Sequence, residues 1–230
     1  MKSCYIVGAA DFAPARFAPA SGDFVIAADA GILHLERLGA KPDLVLGDFD
    51  SLGRVPDYPD TEVSPVRKDD TDSMLAARRA VERGYGRLLF FGCLGGRRLD
   101  HTLANIQTIA WCASQGAEAF LVGEGCCLAA LPGGRSLSFD ARYAGDFSVF
   151  CLGEDARGVT ERGLSYSLEG AELSARFPLG VSNSFTGESA YLAVEKGLLI
   201  AYWQDDASLP LPEMGKIAQP ARKYLSRSGV

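Results

Sequence analysis

Histidine is scarce in this chain: His34 and His101 are the only two among 230 residues. That scarcity removes whole classes of chemistry. No histidine pair stands at metal-ligand spacing, no two of the six cysteines form a C-x-x-C, and no local motif couples a serine or cysteine to a histidine. Neither a zinc centre nor a nucleophile–histidine arrangement is expected. Cys4, Cys93, Cys112, Cys126, Cys127 and Cys151 read as buried free thiols. Long apolar runs are missing too, since nothing approaches the roughly 18 residues that span a bilayer. The N-terminus lacks the charged start, apolar block and small-residue cleavage site of a secretory signal. A cytoplasmic protein without a membrane partner is expected. Positive charge is also in deficit. A formal net charge of −6 argues against broad electrostatic binding of nucleic acid. It leaves room for an anionic small molecule held by a metal and a few basic residues.

What is present alternates in a regular way. Apolar runs at Cys4-Tyr5-Ile6-Val7-Gly8, Phe24-Val25-Ile26-Ala27-Ala28, Leu44-Val45-Leu46, Arg87 to Gly92 and Ala117 to Val122 read as buried strands, with Thr61 to Val66 a shorter one. Between them Ile32, Leu35 and Leu38 recur at helical spacing up to Gly39. Further helices are expected from about Thr71 and from Asp100 to about Ser114. Strand and helix alternating this way predict an α/β fold, a mostly parallel sheet with helices packed on it. Ligands in such sheets bind beyond the carboxyl ends of the strands. After about residue 130 the texture changes. Pro132-Gly133-Gly134 interrupts the chain, and short strand-like runs follow at close spacing, Leu164 to Leu168 among them, with Glu195-Lys196-Gly197 reading as a hairpin turn. The expected organisation is an α/β domain over residues 1–130, a smaller antiparallel β-sandwich over 135–206, and a proline-bearing tail, 207–230, with no assigned role.

Three stretches carry the chemistry. In Gly47-Asp48-Phe49-Asp50-Ser51 an extended backbone would send Asp48 and Asp50 to one face, where two carboxylates repel unless a hard cation neutralises them. A polar strand end is the plainer reading of the same residues. Lys68-Asp69-Asp70-Thr71-Asp72-Ser73 opens a helix, so Asp70 or Thr71 should cap it. Three aspartates in four positions behind a lysine exceed what a helix dipole asks for. Gly92-Cys93-Leu94-Gly95-Gly96-Arg97-Arg98-Leu99-Asp100-His101 runs from a strand through a Gly-Gly turn and two arginines to a helix that Asp100 should cap. Glycines admit an anion close to backbone N–H groups, and arginine forks onto phosphate oxygens. It is no Walker A loop, which needs G-x-x-x-x-G-K-[ST]. Together these stretches describe a Mg²⁺-nucleotide site on one rim of the sheet.

Ala28-Asp29-Ala30-Gly31, Pro42 to Ser51, Lys68 to Asp72 and Gly95 to His101 resemble, in order, the signature blocks of thiamine pyrophosphokinases, and Val181-Ser182-Asn183-Ser184-Phe185-Thr186-Gly187 resembles that family's C-terminal block. Ala30 departs from the pattern, which often has a glycine there. The resemblance implies transfer of a pyrophosphoryl group from ATP to the hydroxyl of thiamine, giving thiamine diphosphate and AMP. It also implies a homodimer whose active sites are shared between subunits. Carried over residue by residue, it gives Asp48, Asp50 and Asp72 to Mg²⁺, with Asp100 beside the metal or substrate. Lys68, Arg97 and Arg98 would face the ATP phosphates, with Asp29, Gly31, Ser51 and Asp70 on the nucleotide side. Gln107, Ser182 and Asn183 would reach thiamine, the last two from the partner subunit. Asp100 or Asp72 is the expected base. Two other functions fit the same residues: a Mg²⁺-dependent nucleotide hydrolase, and a non-catalytic regulator that binds nucleotide or thiamine.

Overall fold

The computed structural model describes residues 2–65 and 69–217. Lys68 and the end of the expected strand at Val66 lie outside the described residues, as does the last part of the tail.

The first half folds because its apolar runs are buried on both faces. Strands β1 (Ser3–Val7), β2 (Phe24–Ala28), β3 (Leu44–Gly47), β4 (Thr61–Val63), β5 (Arg87–Phe91) and β6 (Glu118–Gly123) form a parallel sheet in the order β4-β3-β2-β1-β5-β6. Alternation assigns each side chain to a face. Cys4 and Ile6 join Ile26, Leu44, Leu88 and Phe90 under the helices α2 (Asp72–Glu82) and α3 (Leu99–Ser114). Tyr5 and Val7 point the other way, with Val25, Val45 and Phe91, toward the helix α1 (Ile32–Leu38). Continuous Val/Ile/Leu-rich runs are what two covered faces require.

The sheet does not stop at β6. It continues antiparallel through β7 (Cys126–Pro132), β14 (Leu198–Gln204), β9 (Asp146–Cys151) and the short β12 (Asn183–Ser184), making ten strands in all. A second, five-stranded antiparallel sheet, β11 (Leu168–Leu173), β10 (Ala156–Arg162), β13 (Ala190–Val194), β8 (Arg135–Phe139) and β15 (Glu213–Lys216), shares one core cluster with this extension and with the α1 face. Trp203, fully buried, lies edge-on to Phe120 and Phe139 there. The architecture is an α/β mixed sheet plus an antiparallel all-β sheet.

Three local expectations change. Glu195-Lys196-Gly197 is no hairpin: β13 belongs to the five-stranded sheet and β14 to the ten-stranded one, so the turn carries the chain from one layer to the other. Pro132-Gly133-Gly134 makes the opposite crossing, from β7 to β8. The two crossings touch, since a Cβ on Gly133 would lie 2.9 Å from the Glu195 carbonyl oxygen. The run from Leu164 to Leu168 is mostly a turn, and the strand begins at Leu168. Part of the tail does have regular structure. Glu213–Lys216 pairs with β8 as an edge strand, beyond the prolines that suggested irregular chain.

Candidate active site

Strand order reverses beside β1, where β2 lies on one side and β5 on the other. Gly8 N–H donates to the Phe91 carbonyl and Ala10 N–H to the Gly92 carbonyl, both at 2.8 Å. Any Cβ on Gly92 would collide with the Gly8 carbonyl oxygen, and Gly92 has φ +61°, so glycine is required twice over. A crevice at such a switch point is the expected ligand site. Here it opens into a cleft of about 1080 Å³.

The acidic pair does not form as strand periodicity suggests. β3 ends at Gly47, and Phe49, 2% exposed, turns into the left-handed region at φ +56° to bury its ring. Asp50 then starts a short 3-10 turn, Asp50–Leu52, and its N–H donates back to Asp48 Oδ1 at 3.2 Å. The reason Asp48 and Asp50 converge is therefore the burial of Phe49 rather than the period of two. A third carboxylate joins them. Asp29, at φ +49° just after β2, brings an oxygen into a set with Asp48 and Asp50 in which all three lie within 4.8 Å of one another. Ser51 Oγ sits 2.8 Å from Asp29 Oδ2 and 3.0 Å from Asp50 Oδ1, so one hydroxyl proton serves two carboxylates. Asp29 Oδ1 is buried with no hydrogen-bond partner among the described residues. An orphaned buried oxygen beside two further carboxylates suits a hard divalent cation, which prefers oxygen ligands and offsets the repulsion.

The other two stretches face the same cleft. Thr71, not Asp70, caps α2, its side chain accepting the Met74 N–H at 3.2 Å. Asp70 pairs with Arg78 at 2.9 Å, and Asp72 lies in the first turn. Both line the cleft, as do Asp29, Asp48, Ser51, Arg97 and Arg98. Gly95 and Gly96 turn at φ +72° and +74° before α3, and the buried Asn105 on that helix donates to the Cys93 carbonyl at 2.8 Å, pinning the strand end.

Asp100 is not a helix cap. Arg98 holds that position without a side-chain cap, and Asp100 lies inside the first turn, gripped by Arg98 at 2.6 Å. That hydrogen bond lowers its carboxyl to about 2, and the side chain is well exposed and absent from the cleft lining. Gln107 is exposed farther along α3 and does not line the cleft. Gly31 is buried under the Val7 carbonyl, where no Cβ fits, and does not line the cleft. Ser182 and Asn183 lie in the sandwich half, away from the cleft lining.

Sequence reasoning missed Asp11 and His34. Asp11 Oδ2 accepts the Gly96 N–H at 3.0 Å, a carboxylate seated on the glycine turn. His34 places Nε2 3.0 Å from the Ala10 carbonyl oxygen and stacks on Phe12, ring centroids 4.9 Å apart. Both line the cleft. The rule about carboxyl ends of strands, applied to β1 as it was to β3, would have found Asp11.

Residues 19–121 match the family model for the thiamin pyrophosphokinase catalytic domain, and residues 138–199 match that for the thiamin pyrophosphokinase vitamin B1 binding domain. The thiamine pyrophosphokinase of Bacillus subtilis (strain 168) is 28% identical over 184 residues, 76% of this chain and 84% of that protein. A crystal structure of thiamin pyrophosphokinase from Geobacillus thermodenitrificans superposes with a TM-score of 0.75 at 28% identity, covering 90% of this chain and 99% of the other. The Bacillus subtilis crystal structure gives a TM-score of 0.78 at 24% identity, covering 89% and 100%, a likeness of fold.

Proposed function

The chain belongs to the thiamine pyrophosphokinase family, and on that premise we propose that its cleft transfers the terminal pyrophosphoryl group of ATP to the hydroxyl of thiamine, with Mg²⁺ held by Asp29, Asp48 and Asp50. One observation carries the reading. Carboxylates from the ends of two different strands approach within 4.8 Å, one with a buried unpartnered oxygen, and two of them, Asp29 and Asp48, line the same cleft as Arg97 and Arg98.

Mg²⁺, when bound, supplies neutralisation of phosphate charge. The chain's own residues do the rest. The Gly95-Gly96 turn and the two arginines receive phosphate oxygens, Arg98 exchanging Asp100 for the nucleotide as Asp11 yields the Gly96 N–H. The same proposal gives Asp70 and Lys68 to the nucleotide. The thiamine oxygen bonds to the β-phosphorus as the bond from that phosphorus to the oxygen of AMP breaks. Asp72 accepts the hydroxyl proton, since it lines the cleft and Asp100 does not.

A homodimer in the cytoplasm belongs to this proposal. Ser182 and Asn183 do not line the cleft of their own chain, so a second copy would have to bring them. Phe150, Phe177, Leu179 and Val181 are exposed on the same half, apolar side chains that such a copy would cover. Among the described residues no helix is long and apolar enough to cross a membrane.

The test is nucleotide analysis of protein incubated with ATP and Mg²⁺, with and without thiamine. AMP is expected only with thiamine. Equal AMP release without it would make the protein a nucleotide hydrolase.

A further inference from the structure

Inward positions of a sandwich strand are filled by apolar side chains, and β10 breaks that rule once. Val159 and Glu161 share its inward face, yet Glu161 is a carboxylic acid only 2% exposed. Its cross-strand partners are Leu168 on β11 and Leu192 on β13. The charged side chains nearest along the strands, Arg162 and Glu169, pair with each other in solvent at 2.8 Å. The only side-chain hydrogen bond to Glu161 among the described residues comes from Asn183, whose Nδ2 donates to Oε2 at 2.9 Å, while Oε1 is buried without a partner. Burying a carboxyl this way is expensive, so a compensating use is expected.

Asn183 is where that use lies. Its Nδ2 also donates to the Tyr166 carbonyl at 2.7 Å, and its Oδ1 accepts the N–H groups of Tyr166 and Ser184 at 2.9 Å each. The side chain thus staples two segments, the turn after β10 and the strand β12. Ser182, next to it, is held in the left-handed region at φ +64°, with its N–H on Ser148 Oγ at 3.1 Å. The three backbone contacts set which end of the amide is oxygen, and without Glu161 the second Nδ2 hydrogen would be buried unpaired, a cost that loosens the amide on its backbone partners. Glu161 accepts that hydrogen and so holds the amide against both segments.

We infer that Glu161 is a positioning residue: it locks the Asn183 amide, and through it the Ser182–Ser184 segment, in the geometry that receives thiamine. The inference rests on the proposed role of that segment, within the part of the chain that matches the vitamin B1 binding domain.

The test compares Glu161→Gln, which keeps a neutral acceptor, with Glu161→Met, which keeps bulk but not the acceptor. Two readouts are taken: amide hydrogen exchange at Tyr166 and Ser184, and KM for thiamine against KM for ATP and kcat. E161M is expected to lose protection at both amides. Its KM for thiamine should rise about five- to ten-fold, the value of one buried hydrogen bond, with kcat and KM for ATP within about two-fold of wild type. E161Q should match wild type in both readouts. Glu161→Leu replaces E161M if that variant does not fold. Unchanged protection in the apolar variant overturns the lock, whatever the kinetics, and so does a raised thiamine KM in E161Q. Lost protection with an unchanged thiamine KM would leave a lock but overturn its link to thiamine, placing the fault in the segment's proposed substrate role. Wild-type protein that makes no thiamine diphosphate would instead fail the functional proposal itself.

Discussion

Asp29 and Ser51 meet at 2.8 Å across the gap between the end of β2 and the turn that follows β3. The contact ties Asp29 to the acidic turn, and the same hydroxyl reaches Asp50 at 3.0 Å. One proton shared between two carboxylates leaves most of their repulsion in place. Without metal, Asp29→Asn is therefore expected to stabilise the fold by about 1 kcal/mol. Added Mg²⁺ should raise the melting temperature of the wild type and not of the variant. Thermal melts with and without Mg²⁺ check both, and an equal Mg²⁺ response in the two proteins would remove Asp29 from the metal set.

Asp48 is half-buried at the cleft wall, and its Oδ1 accepts the Asp50 N–H at 3.2 Å. Asp48→Asn keeps that acceptor and loses the charge. Turnover should fall by more than about 100-fold, beyond the cost of outer-shell changes at metal sites, with an unaltered circular dichroism spectrum. Near-normal AMP release from this variant would contradict the assignment.

Arg16 clamps the segment after β14. Its guanidinium forks onto Asp205 at 2.7 Å for both contacts and donates to the carbonyls of Asp206 and Leu209, while Trp203 Nε1 also lies 3.3 Å from Asp205. The two charged side chains are 9% and 3% exposed. Removing one partner strands the other, so Arg16→Leu should cost about 3–5 kcal/mol and lower the melting temperature by roughly 10 °C. The double variant Arg16→Leu with Asp205→Leu should recover much of that loss, because the uncompensated charge is gone.

Burial raises the Glu161 carboxyl from 4.5 to about 7, the Asn183 donor offsetting this only in part. The neutral form thus belongs to the fold. Stability from this group is fullest below about pH 4.5, falls as the pH rises toward 7, and is lost above it. Against wild type, Glu161→Gln should gain up to about 3 kcal/mol in relative stability between pH 4.5 and pH 8. Urea midpoints at the two pH values measure that difference. A constant offset between the proteins would mean that Glu161 titrates normally in the fold.

The parts of the structure that were legible in the sequence are those where local pattern and tertiary burial ask for the same thing. Continuous apolar runs such as Tyr5-Ile6-Val7 and Leu44-Val45-Leu46 became parallel strands because both sheet faces are covered. What escaped depends on distant partners. Phe49 turns left-handed because a core waits for its ring. Asp29 meets Asp48 and Asp50 only because β2 and β3 are neighbours. Glu195-Lys196-Gly197 has hairpin chemistry but joins two layers, a fact set by which strands β13 and β14 pair with. Glu213–Lys216 becomes a strand by pairing with β8, far back in the chain, and nothing in its composition announces that. At the site, the glycine turn before α3 and the arginines beside it were readable, and all four residues line the cleft. The pairing of Asp100, outside the cleft lining, with Arg98 was not.

The central claim is transfer of an intact pyrophosphoryl group within the acidic cleft. ATP labelled at the γ-phosphorus, incubated with the protein, Mg²⁺ and thiamine, tests it most directly. The label is predicted in thiamine diphosphate, with unlabelled AMP formed in equal amount and neither product formed by the Asp48→Asn variant. Label released as free phosphate or pyrophosphate, at the same rate with or without thiamine, would contradict the account.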